Sequence, residues 1–485
     1  AAVRLPVAAG TAAGAADGVD FVAATATADV VAGLPVHIQK LAPGVIRIWT
    51  GDHVSSTATV AVATDGGLVI IDTLGFPAID AELRKIIARE LGRDDFKVLI
   101  NTHEHGDHTG GNCVYSDCTI VGHELVAAGM AAQAGDRQRM IDWGTTRIAE
   151  LQQQIAALPA DSAATKAVLQ EQLIISQLSL KVRKGNAPAC PPTKTFADRL
   201  TLNVGSTAFE LSYIGGMHSA SDIAVFVPKL GLLMTGDTMS DTWLTETPGC
   251  LASFTARQGV RHDFPLLTKN WDALLAKKDT IKQFVTGHWN GELSYAGFAA
   301  RVDYVKAVWA AVNEAAAAGR DLASLQQEYT LAAKFPQLVQ ARGFHQRFHV
   351  WTVQEMWTAA TGQQDAAGRL YALIDEGAAE SAVREIVDAR DAKPARYYYQ
   401  EPSLIAMGYR FLQEEKVPQA VGMFKAAVAI FPQAWNAYDS LAEALLRAGD
   451  TAGAVKNYER SIELNPDNQN GRDALARIRE GGTGT

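Results

Sequence analysis

The chain reads as an α/β layered domain followed by an all-α region. Three observations predict that order. Residues 36 to 76 alternate in strand fashion and give way to a strand–helix–strand unit. The loop leaving the last of those strands carries Thr102-His103-Glu104-His105-Gly106-Asp107-His108, at the carboxyl end of a strand, where α/β layers place their sites. From Tyr295 onward the sequence is helical, and its last part repeats with a fixed period.

The elements follow in order. Residues 1 to 35 begin rich in Ala, Gly and Val and are expected to be a flexible lead-in. The chain begins with Ala rather than Met, which fits a processed start, such as one left by removal of a secretory signal, or a boundary set by expression. Strands are expected at 37–41, 45–49 and 59–62, and the apolar run Leu68-Val69-Ile70-Ile71 ends at Asp72-Thr73. A helix over 78–91 and a strand over 97–100 lead to the histidine turn. After a strand at 119–122 comes an insertion, 125–184, with two or three helices broken at 157–161. Strands resume at 200–204 and 209–211, joined by a turn at Gly205-Ser206, and lead to Gly215-Gly216-Met217-His218-Ser219-Ala220-Ser221-Asp222. Apolar strands at 223–227 and 230–234 follow, the second ending in Thr235-Gly236-Asp237-Thr238. A strand at 284–286 ends in Gly287-His288-Trp289-Asn290. The expected domains are thus 36–295, a helical extension over 296–395, and a repeat region over 396–480.

Composition narrows the function. With 485 residues, 48% hydrophobic and 20% charged, the chain has enough material for two or three domains, and no long apolar run suggests a membrane span. A net charge of -9 argues against a nucleic-acid partner. Four cysteines fit an oxidising compartment, periplasmic or secreted, but four free thiols in a cytosolic enzyme would look the same. Cys113 and Cys118 are close enough to bridge, while Cys190 and Cys250 sit beside Pro or Gly in expected loops.

Three of the 11 histidines fall in the turn 103–108, beside a well-spaced carboxylate. Imidazole and carboxylate suit zinc and its neighbours, and this turn can aim His103 and His105 at one ion and Asp107 and His108 at another. His218, Asp237 and His288 each have a plain reading taken singly, as a loop histidine, a turn aspartate and a half-buried histidine beside Trp289. Taken in order they form HxHxDH, GxxHS, strand–GD and strand–GH, after the earlier Ile70-Ile71-Asp72-Thr73. In that order, across residues 36 to 295, the chain resembles the metallo-β-lactamase superfamily of hydrolases. The resemblance implies an αββα sandwich with a two-metal site at one edge. It implies His103, His105 and His218 on one metal, Asp107, His108 and His288 on the other, Asp237 bridging both, and Asp72 supporting the site from behind. Two zinc ions are the expected cofactors, with iron or manganese possible in either position.

Two dications joined by a carboxylate can also bridge a water and bring its pKa towards neutrality. The expected reaction is therefore hydrolysis of a small ester, thioester, lactone or phosphodiester by a metal-bridging hydroxide. Asp107 is the candidate for orienting that water and carrying its proton. Glu104, between two ligands that share a face, is expected to point away. His105 stands where a di-iron oxidoreductase branch has a carboxylate, which favours hydrolysis over redox chemistry. Asp237 stands where one β-lactamase branch has Cys, and it looks like glyoxalase II, lactonase and phosphodiesterase-type members. Alkyl sulfatases carry carboxylates where His218 stands. β-Lactam and sulfatase chemistry are the alternatives within the superfamily. A repeat scaffold with a vestigial metal domain is the alternative outside it.

Other positions have weaker claims. His345 and His349 share a helical face without the Glu of a zinc-protease motif, so packing is their expected role. Arg261-His262-Asp263 is expected to be a solvated loop, with contact to an anionic substrate as the sharper option. Trp243, Trp289 and Tyr213 neighbour the metal stations and pack a core or wall a pocket. At the C-terminus, Pro432 and Pro466 mark a period of 34 residues, the length of a tetratricopeptide repeat. Leu404, Gly408, Phe411, Ala420, Phe424 and Ala427 in one copy match Tyr438, Ala442, Leu445, Ala454, Tyr458 and Ser461 in the next. A degenerate helical pair at 366–394 is expected to precede them. The repeats are expected to bind a protein, to pair two copies of the chain, or to act as a buttress, beside a small-molecule substrate for the metal domain.

Overall fold

Continuous apolar strands, rather than alternating ones, mark layers covered on both faces. The strands Val45–Thr50, Gly67–Ile71 and Ile223–Val227 are buried along their whole length, whereas Arg199–Val204 alternates between exposed and covered positions. The computed structural model that shows this describes residues 25–52, 56–135, 137–159, 161–185, 189–238, 262–288, 295–338 and 346–479.

Eight strands form the first sheet in sequence order: β1 (Thr25–Val31), β2 (Leu34–Ala42), β3 (Val45–Thr50), β4 (Thr59–Thr64), β5 (Gly67–Ile71), β6 (Phe96–Ile100), β7 (Thr119–His123) and β8 (Lys194–Phe196). Pairing is antiparallel from β1 to β5 and parallel from β5 to β8. The second sheet runs β13 (Gln283–Val285), β12 (Leu232–Met234), β11 (Ile223–Val227), β10 (Thr207–Tyr213), β9 (Arg199–Val204). Val60, Val69 and Val98 of the first sheet meet Phe209, Val225 and Met234 of the second in one buried cluster, so the sheets pack face to face. The other face of the first sheet carries α1 (Pro77–Leu91) through Ile79, Leu83 and Ile87. On the far side, α6 (Phe264–Leu275) buries Phe264, Leu267 and Trp271, and Phe298 meets Phe284 of β13 at 5.3 Å. The result is an αββα sandwich.

After the short turn helix α2 (Gly106–Thr109), three helices occupy the insertion: α3 (Val126–Gly135), α4 (Arg137–Ala156) and α5 (Ala163–Lys184). Ile174 and Leu178 of α5 pack on the cluster that α1 covers.

Strand β1 corrects the expectation of a flexible lead-in through residue 35. Thr25-Ala26-Thr27-Ala28 has weak strand character alone, but β1 pairs with β2 from Thr25↔Ile38 to Val31↔Leu34. The tight turn between them needs positive φ at Ala32 (53°) and Gly33 (84°), and Ala in place of Asn or Asp hides that signal. The cysteines also differ from expectation. Cys113 bridges Cys190, across 77 residues, while Cys118 is a buried free thiol and Cys250 lies outside the described residues. A bridge to Cys118 was suggested by closeness in sequence, but the sheet brings the segment before β8 back beside Cys113.

His349 is a packed histidine: its ring nitrogens lie 2.9 Å from the Tyr304 hydroxyl and 2.6 Å from the Tyr329 carbonyl. His345 lies outside the described residues.

The chain forms two compact units, the second made of residues 312–328 and 357–485. In that unit the helices Ala366–Asp375 and Glu380–Asp388 precede Glu401–Gln413, Val417–Ile430, Trp435–Arg447, Thr451–Leu464 and Gln469–Arg479. Leu404, Phe411, Ala420, Phe424 and Ala427 are all fully buried there, as are Ala442, Ala454 and Ser461. Gly408 explains the spacing of one helical pair: a Cβ there would lie 2.2 Å from the Phe424 ring. Gly408→Ala is expected to lower the stability of this unit by about 1–3 kcal/mol through overpacking, despite better helix propensity. Thermal unfolding of the full chain checks this; an unchanged helical transition would show that the ring gives way freely.

Candidate metal centre

Four loops leave the carboxyl ends of strands and meet at one edge of the sandwich. β6 delivers the turn with His103, His105, Asp107 and His108; the loop before β11 carries His218; β12 is followed by Asp237 and β13 by His288. His103, His108, His218, Asp237 and His288 are buried, while the Asp107 side chain is 51% exposed on the open side.

The side chains fall into two groups. His105 Nδ1 lies 3.1 Å from His103 Nε2 and 2.9 Å from His218 Nε2, so three ring nitrogens converge. In the other group, His108 Nε2 is 3.4 Å from Asp237 Oδ1 and 3.5 Å from Asp107 Oδ2. His288 Nε2 is 3.0 Å from Asp237 Oδ2 and 3.7 Å from Asp107 Oδ2. Asp237 Oδ2 also stands 3.5 Å from His218 Nε2, which puts this one carboxylate against both groups. The structure therefore brings together all seven residues that the sequence reading expects around metal.

The surroundings fit a cation. His108 Nε2 and Asp237 Oδ1 are buried and have no hydrogen-bond partner among the described residues, which is costly unless an ion takes their place. Glycine is required at 287, where a Cβ would stand 2.2 Å from Asp237 Oδ1 and 2.8 Å from the His108 ring. Three imidazoles on one side, and two imidazoles with two carboxylates on the other, form a donor set suited to zinc and its neighbours.

The charges are mutually supporting. Burial opposes the charge on His108, but Asp237, Asp107 and Asp72 outweigh it and hold that imidazole well above its usual range. Burial likewise opposes ionisation of Asp237, and His288 and His108 outweigh it to hold the carboxyl well below the usual carboxylate range. His103 is pushed well down by burial and then by His108 and His105.

Behind the candidate ligand atoms, Asp72 sets the rings. Its carboxylate accepts from Thr102 N at 2.7 Å and from Thr102 Oγ1 at 2.6 Å, and lies 3.0 Å from His108 Nδ1. With its one hydrogen given to Asp72, the Thr102 hydroxyl can only accept from His103 Nδ1, 3.0 Å away. One carboxylate thus fixes the His103 tautomer with its Nε2 lone pair facing the centre, and would do the same for His108 once a cation displaces the proton on its Nε2. Asp72 sits at φ 58°, a left-handed conformation that Asp and Asn tolerate better than most residues.

Several supporting residues carry no sequence signal of their own. Buried Arg47 of β3 donates to the carbonyls of Thr286, at 2.8 Å, and of His288, clamping that loop to the first sheet. Thr57 Oγ1 donates to Asp107 Oδ2 at 3.2 Å. Asp222 accepts from Met217 N, His218 N and Ser219 Oγ and shapes the loop of His218; its place four residues after His218 was the available hint. Glu104 points away from the centre, as expected, and accepts from Ala220 N, Ser221 N and the Ser221 hydroxyl, tying the histidine turn to that loop. His262 Nδ1 lies 2.9 Å from Gly216 O, and Asp263 caps α6 through Leu266 N. Tyr213 stacks on His123 at 4.1 Å and donates to Ala220 O. Arg261, Trp243 and Trp289 lie outside the described residues.

The family model described as metallo-beta-lactamase superfamily matches residues 51–279, and a tetratricopeptide-repeat model matches residues 435–478. The chain carries a metallo-beta-lactamase superfamily domain. The match to the repeat model suggests protein interaction for that region. Among curated proteins it is similar to the 2,4-dinitroanisole O-demethylase subunit alpha of Nocardioides sp. (strain JS1661), with 23% identity over 57% of this chain and 65% of the relative. The beta subunit from the same organism shows 25% identity over 22% of this chain and 34% of its own length. The chain thus spans less than two thirds of either relative. Among solved structures, a stereoselective inverting sec-alkylsulfatase from Pseudomonas sp. aligns with TM-score 0.46 and 13% identity, over 88% of this chain and 65% of that one. A metallo-beta-lactamase from Erythrobacter litoralis aligns with TM-score 0.34 and 13% identity, over 55% and 95%. No described helix is long and apolar enough to cross a membrane.

Proposed function

We propose that this chain is a binuclear zinc-dependent hydrolase of a small ester, thioester, lactone or phosphodiester. In this reading His103, His105 and His218 hold one ion and Asp107, His108 and His288 the other. The observation that carries it is the position of Asp237, whose Oδ2 stands 3.5 Å from His218 Nε2 and whose Oδ1 stands 3.4 Å from His108 Nε2. When bound, the ions supply an activated water and polarise the attacked oxygen. The chain's own residues do the positioning. Asp107, at the open side and steadied by Thr57, is placed to orient a water and carry its proton. Asp72 keeps His103 and His108 in the tautomers that leave Nε2 available. Asp72→Ala is expected to weaken metal affinity or activity about 10- to 100-fold. Asp72→Asn preserves the backbone conformation and separates the loss of charge from backbone strain; competitive metal titration of both variants reads the difference.

Metal analysis combined with a substrate panel tests the whole reading. The panel holds chromogenic esters, lactones, thioesters, phosphodiesters, cephalosporins and alkyl sulfates. The names of the matched relatives add 2,4-dinitroanisole, a methyl ether of an electron-poor ring, as a second reading of the scissile bond. Bound metal below one ion per chain, without turnover, would leave only a scaffold role. Rapid cephalosporin turnover would move the assignment to β-lactam hydrolysis.

The Cys113–Cys190 bridge supports residence in an oxidising compartment, periplasmic or secreted. Alkylation of thiols during isolation checks this, since reduced Cys113 and Cys190 would contradict it. The helical repeats would pair two copies of the chain or dock a protein partner.

A further inference from the structure

We propose that helix α3 is a working part of the metal centre, with Gln133 as the residue that positions His105 for its ion. The inference rests on the reading of His105 as a ligand and gives the helical insertion a role in that site.

The composition of α3 gives it little reason of its own to lie where it does. Its residues are small or apolar apart from Gln133, and only Val126 is buried. Two contacts fix it against the histidine turn. A Cβ at Gly129 would lie 2.2 Å from Glu104 Cγ, so the helix backbone rests directly on a side chain of the turn. Glycine is a poor helix former, and its place inside α3 answers to this close approach. Four residues on, and therefore on the same face, Gln133 Oε1 accepts from Gly106 N at 3.1 Å and its Nε2 donates to Glu104 O at 2.9 Å.

Those two backbone groups flank His105. A carboxamide carries an acceptor and a donor side by side, so the end of one side chain brackets this histidine from both directions. Such a hold matters most at His105. Its Nδ1 stands 3.1 Å from His103 Nε2 and 2.9 Å from His218 Nε2, yet it is half-buried where those two residues are buried. Packing constrains it less than its neighbours, and the backbone on either side must do more. Glu104 extends the link, because its carboxylate accepts from Ala220 N and Ser221 N in the loop of His218. The other group draws on different supports: Asp72 for His108, Thr57 for Asp107 and Arg47 for the loop of His288. Loosening α3 should therefore fall on one ion and spare the other.

Cobalt(II) titration of the metal-free full chain, followed by visible absorption, tests this. Gln133→Met keeps the length of the side chain and removes both bonds. It is expected to weaken one binding step about tenfold and to leave the other within about twofold. Gln133→Glu keeps the acceptor for Gly106 N and should recover part of the affinity. Gln138→Ala is the control and should match the wild type, since Gln138 donates to Asp142 of its own helix. Hydrogen exchange of the Gly106 amide in the metal-free chain reads the hold without any ion, and Gln133→Met should speed it about fivefold or more. Unchanged exchange, an unchanged titration, or two steps weakened equally would overturn the role of Gln133. If the wild-type chain takes up no cobalt while exchange still responds to Gln133→Met, the hold on the turn stands and it is the ligand reading that fails.

Discussion

Asp237→Ala is expected to lower kcat/KM at least about 1,000-fold and to reduce bound metal from two ions to one or none. In the proposed binuclear site Asp237 would serve both ions, and the polarisation they would supply is worth several kcal/mol, with each 1.36 kcal/mol a factor of ten. The geometry offers no substitute among the described residues. Asp107 reaches His108 and His288 but has no close contact with His218. The metal-free protein is also expected to lose stability. Asp237 is the nearest counter-charge of His288, at 3.0 Å, and faces the Nε2 side of His108 at 3.4 Å, and breaking such a buried pairing costs about 3–5 kcal/mol. Asp237→Asn keeps the volume and removes the charge, so it should retain the fold better than Ala while losing most activity. Metal analysis, steady-state kinetics and thermal unfolding with and without chelator check the three parts. An Asp237→Ala protein with two ions and ordinary turnover would remove the carboxylate from the mechanism.

The clustered histidines and aspartates were legible because local rules place them. A strand end followed by a tight turn puts His103, His105, Asp107 and His108 within six positions, and no distant contact is needed to see that they can converge. His218, Asp237 and His288 were legible through order along the chain, each after a glycine turn or strand. The residues that hold these side chains in place were not. Arg47 acts on a loop 241 positions away, and its role exists only once two sheets have packed. Thr102 appears as an ordinary strand-ending residue until the carboxylate of Asp72 takes its single hydroxyl hydrogen. Asp72 itself was visible as a support, but that it serves both groups follows only from three distances. Strand β1 failed to announce itself for another reason: partners supply its stability, and its own residues supply little.

The cysteines show the same limit and carry the second large prediction. Cys113→Ser/Cys190→Ser is expected to destabilise the first unit by about 2–4 kcal/mol, somewhat below the roughly 4.5 kcal/mol that the chain-entropy relation gives for so long a loop. The bridge closes 77 residues, including the whole helical insertion, onto the helical turn that follows the histidine motif. Asn112, next to Cys113, donates to Cys190 O at 2.9 Å and pairs with Asn101, whose amide also reaches His108 O at 3.3 Å. Loosening the bridge therefore reaches the backbone of a proposed ligand through one amide pair. Cys118 does not replace either partner: it is buried, and burial pushes its thiol up to about 11, so little thiolate exists to attack the bridge near neutral pH. Urea unfolding of the oxidised protein, the reduced protein and the double variant measures the effect. The reduced protein and the variant should share one lowered midpoint, and bound metal should be lost at lower denaturant than in the oxidised form. Equal midpoints for all three would mean that packing of α5 on the first sheet, rather than the bridge, keeps the insertion in place.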